Sequence, residues 1–289
     1  MIKISNVVKS FRKTDVLKDI SLEITRGQRV ALVGSNGAGK TTLIRCLLGE
    51  YNCKGEVTID DLNPRLFREQ VLSKIGFVPQ LPPPLRIPVS QLIRFSSSLC
   101  HSDPQQMIDV AQQLGFDALK FSSQPFVKLS GGQKQKLLIA IALGRESELL
   151  VMDEPAANLD PEARHILFKL LAEKQETSAM LISSHHLDEV ASLVNRVIEM
   201  DQGSIALDDK VADLVDMSSQ LQCTVSMIRY EEAFAKALNS WNFSASAENT
   251  TWQGLIAGPD RLRFLGMLSR YAALLASIDM KESKEQINA

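Results

Sequence analysis

The chain has 289 residues, of which 45% are apolar and 23% are charged, a mixture typical of globular proteins. Its formal net charge of −2 gives the molecule no general attraction for nucleic acid or anionic lipid. The sequence contains no recognisable signal peptide, no run of 18 apolar residues and no C-x-x-C pair among its four cysteines. We therefore expect a cytoplasmic protein of one or two domains, with free thiols and no nucleic-acid partner.

The first 50 residues predict three strands followed by a glycine-rich loop and a helix. Segments rich in β-branched residues occupy 2–11, 16–24 and 29–34. The loop GSNGAGKTT at 34–42 comes next and opens a predicted helix at 41–50. Its spacing fits G-x-x-x-x-G-K-[ST], the motif that cradles phosphates.

Glycines let this loop curl so that its N–H groups and the positive end of the helix face an anion. Lys40 would then reach the outer phosphates of a nucleotide, and the Thr41 hydroxyl would bind Mg²⁺. The alternative is a glycine-rich turn that only ends a strand.

The middle of the chain alternates predicted strands and helices, which favours an α/β sheet. The continuous apolar run at 148–154 suits a strand buried on both faces of a parallel sheet. Proline-rich residues 81–89 form a stiff connection. Further strands are predicted at 55–61, 74–80 and 178–184, and the first of these is expected to form part of a hairpin. A second hairpin is predicted at 196–209. The predicted helices are 89–100, 103–116, 134–146, 161–176 and 187–194.

From about residue 218 the pattern starts again. Predicted elements follow in the order β-α-β-β-α-β, which is the ferredoxin-like arrangement. Their ranges are 221–228, 231–241, 243–248, 251–258, 259–275 and 276–282. The sequence therefore predicts a small α+β domain at 218–289, after a larger domain at 1–217.

Two adjacent carboxylates end the apolar strand, where Asp153 could organise Mg²⁺ and Glu154 could polarise an attacking water. A solvated turn is the alternative for such a pair in isolation. A second glycine-rich helix start, LSGGQ at 129–133, would serve a different nucleotide from the one at 34–42.

The motifs GSNGAGKTT, Gln80, LSGGQ, LLVMDEP, ANLD and SSHH, in this order, resemble those of the ATP-binding cassette ATPases over roughly residues 1–215. The resemblance implies a P-loop NTPase fold with a helical subdomain at about 85–145, and ATP hydrolysis with Mg²⁺. Two departures are His186, where aspartate is usual, and Lys136, where arginine is common.

The resemblance also implies roles for individual residues. Phe11 would stack on adenine, although a core position is the alternative for it. The implied catalytic residues are Lys40, Gln80, Glu154 and His185, and the implied metal ligands are Thr41, Gln80 and Asp153. The implied nucleotide contacts are Phe11, Gly34, Ser35, Asn36, Gly37, Ala38, Gly39, Lys40, Thr41, Thr42, Ser130, Gly131, Gly132, Gln133 and Asp160.

In such proteins the signature LSGGQ closes over ATP held by a second subunit, so we expect a homodimer or a pair with a homologous subunit. The expected function is to power a separate transmembrane permease, with export favoured, from the inner face of the membrane. Apolar residues such as Leu85 and Ile87, after Gln80, would receive the permease; a plain surface loop is the alternative. The competing function is a cytosolic ATPase of this family acting in assembly, translation or repair.

Overall fold

A computed structural model describes residues 1–174, 178–185, 190–210, 220–246, 250–257, 261–269, 271 and 274–282. The chain divides into two compact units, Met1–Val211 and Ala212–Ala289. The domain boundary expected at 217/218 lies outside the described residues, as do His186 and the start of the helix expected at 187–194. The described end of that helix is a 3-10 turn, Ala191–Leu193.

The strands of the first unit are β1 (Ile2–Phe11), β2 (Thr14–Ile24), β3 (Arg29–Val33), β4 (Lys54–Ile59), β5 (Ile75–Val78), β6 (Leu149–Asp153), β7 (Ala179–Ser184), β8 (Arg196–Asp201) and β9 (Ser204–Lys210). The helices of this unit are α1 (Lys40–Leu47), α2 (Arg68–Leu72), α3 (Val89–Cys100), α4 (Pro104–Gln113), α5 (Gly131–Leu143) and α6 (Pro161–Glu173). No described helix is long and apolar enough to cross a membrane.

A six-stranded sheet forms the centre of the first unit, in the order β5-β6-β7-β3-β8-β9. All neighbouring strands are parallel except β8 and β9, which form the predicted hairpin. Every residue of β6 is buried, as predicted from its unbroken apolar run. The carboxyl ends of β5, β6, β7 and β3 therefore meet at one edge of the sheet, the usual place for a ligand in such folds.

A separate antiparallel sheet has the order β2-β1-β4. Strand β4 was expected in a hairpin, but it pairs with β1, with Ile59 opposite Ile2. That expectation was wrong because the partner of β4 lies more than 40 residues earlier in the sequence, beyond the reach of a local turn signal.

Helices α3, α4 and α5 share a core of their own around Phe116 and Phe126. Leu85 and Ile87 are partly buried against this core, because their carbonyl groups accept hydrogen bonds from the Val127 and Phe126 amides. They are therefore not the exposed contacts that the sequence suggested. Apolar side chains that are more than half exposed in this segment include Leu81, Phe95, Leu99 and Leu119.

The second unit contains β10 (Gln220–Met227), α7 (Glu232–Asn239), β11 (Ser244–Ala245), β12 (Thr251–Ala257), α8 (Arg261–Ser269) and β13 (Leu275–Glu282). This is the predicted β-α-β-β-α-β order. The sheet is antiparallel, in the order β11-β12-β10-β13. Phe234, Phe264 and Trp252 are among the buried residues that form its core.

Candidate active site

Four neighbouring strands deliver the predicted catalytic groups to the same edge of the central sheet. The loop 34–42 follows β3, Asp153 ends β6 and Glu154 comes directly after it. Gln80 lies two residues beyond β5, and His185 comes directly after β7. The parallel order of these strands therefore gathers residues that are up to 151 positions apart in the sequence.

The loop 34–42 has the conformation that its glycines permit. Gly34, Gly37 and Gly39 all have positive φ angles, of 148°, 86° and 106°. A Cβ on Gly34 would lie 2.3 Å from the carbonyl oxygen of Met200, so no other residue fits there without a shift. A Cβ on Gly37 would meet no atom within 4 Å, so the loop is open on that side.

Lys40, the first residue of α1, is held inside the loop. It is 5% exposed, and its Nζ donates hydrogen bonds to the carbonyl oxygens of Gly34 at 2.7 Å and Ser35 at 3.3 Å. The loop thus surrounds an ammonium group at the start of a helix, the arrangement expected of a phosphate site.

The carboxylate of Glu154 lies at the centre of the predicted catalytic groups. Its Oε1 is 3.8 Å from Lys40 Nζ, and its Oε2 accepts a hydrogen bond from Gln80 Nε2 at 3.2 Å. His185 Nδ1 lies 3.3 Å from the same Oε2. The structure therefore brings together all four residues to which the sequence assigned catalysis.

A cavity of about 310 Å³ opens between the loop and Glu154. The cavity is lined by the loop backbone, an ammonium group, hydroxyls, an amide and a carboxylate. This set of groups suits a triphosphate with Mg²⁺. Its lining residues include Val16, Asn36, Gly37, Ala38, Gly39, Lys40, Thr41, Thr42, Gln80 and Glu154.

The LSGGQ signature lies at the N-terminus of α5, where it forms a capping box. Ser130 Oγ accepts a hydrogen bond from the Gln133 amide at 3.2 Å, and Gln133 Oε1 accepts one from the Ser130 amide at 2.9 Å. Ser130 and Gly131 are exposed to solvent. The helix start is therefore formed and accessible to a ligand carried by another molecule.

The signature helix packs against the segment that follows Glu154. Gln135 Nε2 donates to the carbonyl oxygen of Pro155 at 3.0 Å, and Lys136 Nζ lies 2.7 Å from Asp160 Oδ2. Lys136, at the position where arginine is common, therefore forms an ion pair with Asp160. Its ammonium, together with the Ala163 amide, holds the pKa of Asp160 below its ordinary value.

Phe11 lies at the end of β1 and is 41% exposed. Its ring meets Tyr51 edge-to-face at 5.2 Å, and the ammonium of Lys9 lies 4.7 Å from its centroid. The exposed ring is not part of a buried core. Stacking of Phe11 on adenine stays a prediction.

Two partners of the site could not be found from the motifs alone. Ser183 is fully buried and bonds both to Asp153 and to the Glu154 amide. Gln135 joins the signature helix to Pro155. The only signal was polarity in apolar surroundings: a serine near the end of a buried strand and a glutamine inside an apolar helix.

Comparison with known proteins identifies the family. The ABC transporter family profile matches residues 17–157. The Nod factor export ATP-binding protein I of Cupriavidus pinatubonensis is 32% identical over 238 residues, which cover 80% of this chain and 72% of that protein. The chain belongs to the ATP-binding cassette (ABC) transporter ATPases.

Other members of the ABC family match over similar lengths. The arginine transport ATP-binding protein ArtM of Bacillus subtilis is 35% identical over 223 residues, or 72% of this chain and 90% of that protein. Some relatives are far longer, and the chain spans only 14% and 13% of two of them. A dimeric structure of a bacterial ABC transporter cassette has the same fold, with a TM-score of 0.65 at 24% identity over 74% of this chain and 100% of that one.

Proposed function

We propose that this ABC ATPase is the ATP-hydrolysing subunit of a membrane exporter. Two copies, or one copy and a homologous subunit, close around two ATP molecules and drive a separate transmembrane permease. The observation that carries the proposal is the contact of Glu154 with Gln80, His185 and Lys40, beside a formed phosphate loop.

Within one subunit the chemistry follows from the positions of these groups. Glu154 orients a water molecule and accepts its proton as the water oxygen attacks the γ-phosphorus, whose bond to the β-γ bridging oxygen breaks to release ADP. Lys40 and the loop amides stabilise the negative charge on the phosphate oxygens. Thr41, Gln80 and Asp153 would hold Mg²⁺, which supplies further positive charge to the phosphates.

A second subunit completes the site through its signature. The N-terminus of α5, with Ser130 and Gly131 exposed, offers amide hydrogens and a hydroxyl to the γ-phosphate bound by the partner. Asp160 caps the N-terminus of α6 beside this helix and would lie near the same interface. Because ATP contacts both subunits only in the closed dimer, its binding favours closure.

An exposed apolar strip supports docking of a permease on the helical segment. Phe95 and Leu99 are 59% exposed each and lie one helical turn apart on α3, and Leu81 is 72% exposed just after Gln80. Burial of such side chains by another protein is favourable. A shift of Gln80 with the nucleotide state would thus move a neighbouring membrane subunit.

Export is favoured because the match to the Nod factor export protein is longer than the first unit. The similarity to an export protein therefore includes part of the second unit. The test is reconstitution with the copurified permease in vesicles whose ATPase subunits face outward. We expect ATP added outside to move solutes from a cell extract into the lumen. Loss of lumenal solute on ATP addition would contradict export.

Docking of the permease is tested with the double variant Phe95→Asp, Leu99→Asp. We expect basal ATPase within about twofold of the wild type, since surface changes rarely alter a distant site, but loss of copurification with the permease. Leu207→Asp, at an exposed position of β9, is the matched control and should copurify normally. Normal copurification of the double variant would reject this docking surface.

A further inference from the structure

A buried serine bonds to the carboxylate of Asp153 and to the backbone amide of Glu154. Ser183 lies on β7 directly opposite Asp153 of β6, and its side chain is inaccessible to solvent. Its Oγ donates a hydrogen bond to Asp153 Oδ1 at 2.6 Å and accepts one from the Glu154 amide at 2.9 Å. One hydroxyl therefore bonds to Asp153, the last residue of the neighbouring strand, and to Glu154, which follows it.

The backbone of Glu154 requires such support. Glu154 has a φ of 48°, in the left-handed region that non-glycine residues seldom adopt. Its amide is shared between Ser183 Oγ and, at 3.2 Å, the Ser183 carbonyl oxygen. Consecutive side chains of a regular strand point to opposite faces, so this turn is what allows Asp153 and Glu154 to serve one site.

We propose that Ser183 is a positioning residue for ATP hydrolysis, which fixes Asp153 for Mg²⁺ and Glu154 for the attacking water. The proposal rests on the roles proposed above for these two carboxylates. The direction of the hydroxyl is determined: its oxygen is occupied by the Glu154 N–H, so its hydrogen points to Asp153. A donated hydrogen bond of this kind fixes the orientation of a carboxylate that is to bind a metal ion.

The test compares Ser183→Ala with the wild type by calorimetric titration of ATP in EDTA and in Mg²⁺. Residues that orient a metal ligand typically contribute 10–100-fold to metal affinity or activity. We expect the gain in ATP affinity due to Mg²⁺ to fall ~10-fold, and kcat to fall ~10–100-fold. ATP affinity in EDTA should not change, because the phosphate loop is untouched.

Two further variants separate positioning from loss of stability. Ser178→Ala removes a buried hydroxyl just before β7, at the other end of that strand, where Ser178 Oγ donates to the Ser147 carbonyl oxygen at 2.6 Å. It should lower the melting temperature without altering the Mg²⁺-dependent gain. Ser183→Thr keeps the hydroxyl and should restore that gain and most of kcat.

A Ser183→Ala protein that keeps the wild-type Mg²⁺-dependent gain and kcat would overturn the proposal. The proposal would also fail if Ser178→Ala lost as much of the Mg²⁺-dependent gain and of kcat as Ser183→Ala, because the losses would then follow from lower stability. Glu154→Gln, measured in parallel, tests the underlying site. If Glu154→Gln hydrolyses ATP like the wild type, the proposed catalytic role of Glu154 is wrong. If Glu154→Gln is inactive but Ser183→Ala behaves like the wild type, only the proposed role of Ser183 is rejected.

Discussion

At the scale of single residues, the phosphate loop depends on glycines for two different reasons. A Cβ on Gly39 would lie 3.0 Å from both Leu17 Cδ2 and the Val16 carbonyl oxygen, whereas one on Gly37 would meet no atom within 4 Å. Both residues have positive φ angles. A side chain at either position would therefore strain the backbone, but only one at position 39 would also meet close packing contacts.

We predict that Gly39→Ala lowers the free energy of unfolding more than Gly37→Ala does. Backbone strain costs about 1–3 kcal/mol in either variant, and the close contacts add to it only at residue 39. Urea denaturation of the two variants measures the difference. Equal stabilities would show that the contacts around Gly39 relax freely.

The ion pair of Lys136 and Asp160 gives a pH prediction. The pKa of Asp160 is lowered, first by its hydrogen bond with Lys136 and then by the Ala163 amide. A carboxyl group with a lowered pKa in the folded state adds stability above its unfolded pKa, about 3.9, and loses it as the pH falls through the folded value. At neutral pH the contribution is therefore present in full.

Asp160→Asn should lower the melting temperature at pH 7, and the difference from the wild type should shrink below about pH 3.9. Thermal unfolding at several pH values measures it, with Asp209→Asn, at an exposed position of β9, as a control for a general effect of charge removal. A difference that is constant with pH would show that the ionised form of Asp160 adds no stability.

The individual residues show how far the sequence alone could predict the site. Lys40, Gln80, Glu154 and His185 could be predicted because each stands in a motif, and the structure brings them together. Ser183 could not, because its role depends on the register between β6 and β7. Register is a property of the sheet and leaves no pattern in either strand.

At the scale of secondary-structure elements, the start of α5 combines helix capping with the proposed γ-phosphate site. Ser130→Ala should cost about 0.5–2 kcal/mol of stability, since it removes the N-cap. It should also abolish ATP-dependent association. Asp103→Ala is a matched control, because Asp103 caps α4 by accepting a hydrogen bond from the Gln105 amide at 2.8 Å.

The control should lose similar stability yet associate normally with ATP. Denaturation and analytical ultracentrifugation of both variants measure the two effects, in a background of Glu154→Gln that prevents hydrolysis. If Ser130→Ala still associates, the hydroxyl of the signature contributes only to the helix.

Local signals predicted most elements well. Helix α3 begins and ends where the spacing of its apolar residues predicted, and Asp103 with Pro104 marks the start of α4. Helix α2 was missed, because five residues are too short for a periodic pattern. The burial of Leu85 and Ile87 was missed because it results from backbone pairing with residues about 40 positions later.

At the scale of the whole molecule, each unit has its own core. The described core residues of the first unit lie between Ile2 and Met200, and those of the second between Leu221 and Leu268. We therefore predict that a chain of residues 1–217 folds and binds ATP by itself. Circular dichroism and ATP titration check this, and an unfolded truncated chain would show that the first unit needs the second.

The central claim is that ATP joins two subunits, with the phosphate loop of one and the signature of the other on the same nucleotide. Sedimentation velocity of the Glu154→Gln protein, with and without MgATP, tests it most directly. We predict a monomer or weak dimer without nucleotide and a stable dimer with MgATP, which the additional change Ser130→Ala prevents. A Glu154→Gln protein that binds MgATP and remains monomeric would contradict the account.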